Sequence, residues 1–163
     1  MIRIIFLILP FMLFLSCKTT EEIQTVTKLS INEPIMINIP EKISVNDTLT
    51  IEIQNITSDI IILVNPVIKN IEKFSEGNWV LQRIRYCPCG ADCHQAIPRM
   101  ELTSDRNFSV DWNLNESWCV KTESEIWKKQ ISKVSPGLYR VIVKYEKVKY
   151  QTQTIYKEFE ITN

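Results

Sequence analysis

Glycine is scarce in this chain. Gly77, Gly90 and Gly137 are the only three in 163 residues, too few for a glycine-rich loop that cradles phosphates. Histidine is scarcer still, with His94 standing alone. A lone histidine excludes the paired-histidine zinc motif His-Glu-x-x-His, and no Gly-x-Ser-x-Gly elbow offers a serine nucleophile. Neither sign of charge is in excess. Lysine plus arginine and aspartate plus glutamate stand at 19 each, so no bulk field points to nucleic acid or to an acidic partner. The apolar run at residues 4–15 is too short to cross a bilayer as a helix, which takes about 20 residues. No long amphipathic helix announces itself through a sustained 3.6-residue period.

Present instead, at the start, are Arg3, the apolar run, and then Phe14-Leu15-Ser16-Cys17. A run of this length suits the apolar centre of a secretory signal. Phe14-Leu15-Ser16-Cys17 resembles a bacterial lipobox, in which a small residue precedes a cysteine that is lipidated and becomes the mature N-terminus. The resemblance implies a lipoprotein signal peptide over residues 1–16 and acyl chains, palmitate among them, on Cys17. An ordinary cleaved signal with a chance cysteine is the alternative. At about 0.8 kcal/mol per buried methylene, several acyl chains hold a protein at a membrane without a spanning helix. Residues 17–30, the lipidated cysteine followed by a polar, threonine-rich stretch, are expected to be a tether. Lys18 does not resemble the aspartate that retains some lipoproteins at the inner membrane. The expected location is therefore the bacterial cell envelope, at the outer membrane.

From residue 31 to residue 163 the pattern is short strands separated by turns. Ile35, Ile37 and Ile39 alternate with Met36 and Asn38, and Leu49, Ile51 and Ile53 with Thr50, Glu52 and Gln54. Residues 60–64 form a continuous β-branched run that stops at Asn65-Pro66. Residues 67–74 and 79–86 flank Ser75-Glu76-Gly77-Asn78 and predict a hairpin. Met100 and Leu102 precede a turn, and Phe108, Val110 and Trp112 alternate after it. Residues 113–134 are ambiguous. Thr122-Glu123-Ser124-Glu125 fits a capping box, and Trp127 and Ile131 sit at i, i+4 spacing, so a short helix and a structured loop are both open. Residues 137–162 read as a last hairpin, with Tyr139, Val141, Val143 and Tyr145 facing one way. The expected fold is all-β: an antiparallel β-sandwich of seven or more strands with at most one short helix.

Pro136-Gly137-Leu138-Tyr139-Arg140-Val141 resembles the entry to the penultimate strand of immunoglobulin-like and fibronectin-like domains. That resemblance implies an immunoglobulin-like sandwich and a corner hydrogen bond from the tyrosine. Ile51-Glu52-Ile53-Gln54-Asn55, Glu76-Gly77-Asn78-Trp79, Phe108-Ser109-Val110-Asp111-Trp112 and Pro136-Gly137-Leu138-Tyr139 are similar to the BsuPI-like proteinase-inhibitor domains. This second resemblance implies the same fold and, as one possible activity, proteinase inhibition. The cysteine cluster lies outside that pattern, and no inhibitory residue is carried over.

The stretch Cys87-Pro88-Cys89-Gly90-Ala91-Asp92-Cys93-His94 is the least ordinary part of the chain. With Cys17 assigned to lipid, Cys87, Cys89, Cys93 and Cys119 remain, an even number in an oxidising compartment, which favours two disulfides. Pairing Cys87 with Cys89 ranks last, because alternate residues on a strand lie about 7 Å apart, beyond the usual Cα spacing of a disulfide. Cys89–Cys93 with Cys87–Cys119 is preferred, and Cys87–Cys93 with Cys89–Cys119 follows. The alternative use of these groups is a zinc or copper site on Cys87, Cys89, Cys93 and His94. Trp112 is expected in the core, and Trp118 and Trp127 on a contact surface. The function expected from all this is a lipid-anchored, non-enzymatic binding or scaffolding module, without cofactor, that contacts an envelope protein or ligand through loops at residues 87–98 and 113–134. A metal-binding lipoprotein and a proteinase inhibitor are the alternatives.

Overall fold

The computed structural model describes residues 33–66, 70–91, 98–104, 106–147 and 151–163. The expected signal peptide and tether at residues 1–30, with Cys17, and the pair Cys93 and His94 lie outside the described residues.

The described chain is all-β. Twelve strands are present, and no helix occurs among the described residues. A three-stranded sheet has the order β1 (Ile35–Asn38), β3 (Leu49–Asn55), β8 (Asn107–Trp112). The largest sheet is built on the long hairpin β11 (Gly137–Glu146) and β12 (Thr152–Thr162). β12 is flanked by β2 (Lys42–Ser44), and β11 by β4 (Ile61–Val64) at one end and β5 (Asn70–Ser75) at the other. β7 (Arg99–Leu102) pairs with β4, and β6 (Asn78–Leu81) with β5. The named strands pair antiparallel except β2 with β12, which join opposite ends of the domain and run parallel.

Period-two alternation places the core. Ile35, Leu49, Ile51, Ile53 and Trp112 of the smaller sheet and Ile61, Leu63, Ile71, Tyr139 and Val141 of the larger are all buried in one cluster. Each such side chain contributes about 1.5–3 kcal/mol when fully buried. Trp112 sits in this core as expected, its indole N–H donating to the Asn115 carbonyl at 2.9 Å. Tyr139 lies between the Trp112 and Phe159 rings, 6.3 and 5.8 Å away. Its hydroxyl donates to the Ser135 carbonyl at 2.5 Å, and burial pushes it up to about 12. Buried Asn55 closes the turn after β3. Its amide donates to Asp59 and Leu102 carbonyls at 2.7 and 2.8 Å, and its oxygen accepts from the Thr57 amide and hydroxyl. A buried side-chain amide with both ends satisfied carries no desolvation penalty of the kind an orphan would.

Two expectations need correction. The predicted second arm, residues 79–86, pairs with β5 only as far as Leu81. Residues 113–134 form neither a helix nor an irregular loop. They are a hairpin, β9 (Asn115–Lys121) with β10 (Trp127–Lys133). The apparent capping box is the hairpin loop: the Thr122 amide and hydroxyl both donate to the Ile126 carbonyl, at 2.9 and 3.0 Å, and Glu125 takes a left-handed φ of 61°. The i, i+4 spacing of Trp127 and Ile131 fits either period, because residues four apart also share a strand face.

Candidate functional site: a groove closed by a disulfide

The Gln82 amide still donates to the Ile71 carbonyl of β5 at 2.8 Å, and beyond it the chain runs beside β9. The Ser117 amide donates to the Arg83 carbonyl at 2.6 Å, and the Arg85 amide to the Ser117 carbonyl at 3.1 Å, giving a parallel bridge between Ile84 and Ser117. Ser117 is buried, and its hydroxyl accepts a second contact from the Arg85 amide at 3.0 Å. Residues 83–85 therefore extend the β9–β10 ribbon on its β9 side.

Alternation along this segment turns Arg83 toward β9 residues Glu116 and Trp118. The guanidinium donates to both Glu116 oxygens, at 3.4 and 3.3 Å, and stands 4.2 Å above the Trp118 ring. Burial works against the Glu116 charge, but hydrogen bonds from the Arg83 side chain and backbone outweigh it and hold the carboxyl below its usual range. Arg85 is used differently. Its Nη2 donates to the carbonyls of Pro88 and Ala91, at 3.4 and 3.5 Å, and so gathers in the cysteine-bearing loop.

That loop is then bonded to the hairpin. Cys89 forms a disulfide with Cys119, their Cα atoms 5.6 Å apart. The preferred pairing of Cys89 with Cys93 and Cys87 with Cys119 is thus corrected. Cys119 faces the loop from mid-strand, and residue 89, not 87, reaches it once the chain has turned at Pro88. Cys87 is disulfide-bonded as well. Neither Cys87 nor Cys89 therefore offers a thiolate to the alternative metal set, whose remaining members Cys93 and His94 lie outside the described residues. No group of three or more metal-ligating side chains occurs among the described residues.

Between loop and hairpin lies an open groove of about 830 Å³. Tyr86, Trp118, Trp127, Leu81, Arg83 and Arg85 line it. Tyr86, Trp127 and Leu81 expose 54%, 49% and 58% of their surface, although all three are large and apolar. Trp118 and Trp127 are thus brought to one site. Tyr86, Leu81 and the two arginines were not picked out in the sequence. For Leu81 and the arginines the signal is the run Trp79, Leu81, Arg83, Arg85, where every second residue is large, and for Tyr86 its place directly before Cys87.

A second cluster occupies the outer face of the large sheet. Arg140 is held by Glu72 at 2.7 Å and stands over the rings of Trp79 and Tyr156, at 4.3 and 5.1 Å. Phe74 extends the stack, 5.3 Å from Trp79.

No known protein family and no curated protein matches this chain. Among solved structures it is similar to a β-glucosidase from Listeria innocua, crystallised with gluconolactone, at 13% identity and a TM-score of 0.32. The match covers 79% of this chain but 16% of that one. At that score the likeness carries no argument about fold or activity.

Proposed function

We propose that this chain is a lipid-anchored, extracytoplasmic, non-enzymatic binding module that contacts an envelope protein or ligand through the groove between the cysteine-bearing loop and the β9–β10 hairpin. The observation that carries this reading is the groove itself. Large apolar side chains clustered in a concave, half-exposed site mark a contact surface more often than an accident of packing. Aromatic and arginine side chains are the commonest energetic anchors of such surfaces. Here they stand on backbone that is already ordered by a disulfide, a cation–π stack and a bidentate ion pair. Little entropy remains to be lost when a partner arrives.

The fold assigned is an immunoglobulin-like β-sandwich. Two features support it: one core cluster shared by the three-stranded and the largest sheet, and a Tyr139–Ser135 contact that resembles the tyrosine corner of those domains. The location rests on the Phe14-Leu15-Ser16-Cys17 resemblance and on cysteines used as disulfides, the usage of an oxidising compartment.

Cross-linking pull-down from the native envelope tests the site. The unaltered chain should recover a partner that the Tyr86→Ala, Trp127→Ala variant does not; equal recovery by both removes the groove from the account. Mass spectrometry of the mature protein tests the anchor. An acylated Cys17 at the N-terminus is expected, and an unprocessed Met1 contradicts it.

A further inference from the structure

We propose that the free edge of β10 takes up an extended, acidic peptide segment of a partner protein as an added strand. This rests on the reading of the chain as a binding module and names the chemistry of its partner. All seven residues of Trp127–Lys133 are exposed, and among the described residues β10 pairs only with β9. Among the described residues, one side of the strand therefore presents a row of backbone N–H and C=O groups with no strand partner, the template used in β-augmentation.

Charge selects the occupant. The strand carries Lys128, Lys129 and Lys133 and no carboxylate. Lys133 is already engaged, its ammonium donating to the Val45 and Asn113 carbonyls at 3.1 and 3.3 Å. Lys128 and Lys129 make no ion pair among the described residues, and strand alternation sends them to opposite faces. Acidic side chains at successive positions of an added strand would meet one lysine on each face. Trp127 and Ile131 share a face with Lys129 and offer apolar anchors, 49% and 62% exposed. The 19-to-19 charge balance of the whole chain conceals this local excess.

The same lysines disfavour a second copy of the chain, whose β10 would bring like charges alongside. An anionic membrane is disfavoured by the hairpin tip, where Glu123 and Glu125, just before Ile126, carry the same sign of charge as the lipid headgroups. An acidic strand neutralises the edge, whereas a second copy is repelled by its lysines and an anionic membrane by the carboxylates of the tip.

The test uses the full chain, isotopically labelled, with extended eight-residue peptides that carry Glu at successive positions between Thr and Val residues, the same peptides with Lys for Glu, and phosphatidylglycerol vesicles. The acidic peptides should bind and slow hydrogen exchange at β10 amides; the lysine peptides should not bind. The exposed double variant Lys128→Glu, Lys129→Glu should weaken acidic-peptide binding on the order of tenfold, as two exposed pairs become repulsions. No acidic-peptide binding, binding without protection of β10, indifference to the double variant, or lysine-dependent capture of vesicles in place of peptide each overturns the proposal. Loss of the envelope partner by Tyr86→Ala with retention by the double lysine variant leaves the groove standing and removes only this inference.

Discussion

Trp127 covers Gly90. A β carbon placed on Gly90 would lie 3.2 Å from Cδ1 of the Trp127 ring, and Gly90 itself holds a φ of +82°. The loop after Cys89 is thus shaped to the hairpin by sterics as well as by sulfur. Replacing Gly90 with alanine meets both obstacles. A left-handed φ in a residue with a β carbon costs on the order of 1 kcal/mol, and the indole must shift. Gly90→Ala should lower stability by about 1–2 kcal/mol and change the near-UV circular dichroism of the tryptophans. Unchanged spectra and stability would mean that the loop does not rest on Trp127.

The Cys89–Cys119 disulfide spans 30 residues of chain. Loop-closure entropy for a ring of that size gives about 3–4 kcal/mol of stabilisation. Cys119→Ser is expected to lower the urea midpoint by the corresponding amount without changing the far-UV spectrum, because β9 and β10 keep their ladder. It should also open the groove and weaken partner binding more than any single exposed substitution on the outer face of the large sheet.

Tyr139 and Tyr145 make the domain sensitive to alkali. Tyr139 titrates at about 12 in the folded state against an ordinary value near 10, because burial disfavours the phenolate. The Tyr145 hydroxyl, donating to Glu33 at 2.8 Å, is raised too, by burial first and then by that carboxylate. A raised folded value means that the native state holds its proton where the unfolded chain has released it. The stabilisation is complete below pH 10 and is lost as pH climbs toward 12. Urea midpoints measured at pH 9, 10 and 11 should fall over that window. Tyr139→Phe should make the fall shallower while costing about 1 kcal/mol at neutral pH for the lost contact to Ser135.

Much of the frame was legible because alternation and turn chemistry agreed. Tyr139, Val141, Val143 and Tyr145 do face one way, and each is buried. Ser75-Glu76-Gly77-Asn78 does close a hairpin, with Ser75 opposite Asn78. The β9–β10 hairpin was not legible, since Trp127 and Ile131 satisfy helical and strand spacing alike and β10 buries no face that would reveal a period. β2 was missed because three residues are too few to alternate and its parallel partner β12 is at the other end of the chain. The aromatic half of the site was visible as Trp118 and Trp127. Its arginine half was not, because the roles of Arg83 and Arg85 depend on a bridge between Ile84 and Ser117 that no local pattern encodes.

The turn at Glu76-Gly77 carries its own prediction. Both residues are left-handed, with φ of 51° and 81°, a conformation that glycine and asparagine adopt at least cost. Glu76→Asn creates the favoured Asn-Gly pair and should raise stability by about 0.5–1 kcal/mol. A loss of stability would show that the Glu76 side chain contributes more than its backbone strain removes.

The claim on which the functional account turns is that partners meet this protein at the groove. Site-specific photo-cross-linking in the native envelope tests it most directly, with the cross-linker at Tyr86 and, in a separate preparation, at exposed Lys42 on the far side of the large sheet. The account predicts a discrete cross-linked product from position 86 and none from position 42. A product from position 42 alone, or the same product from both, would contradict it.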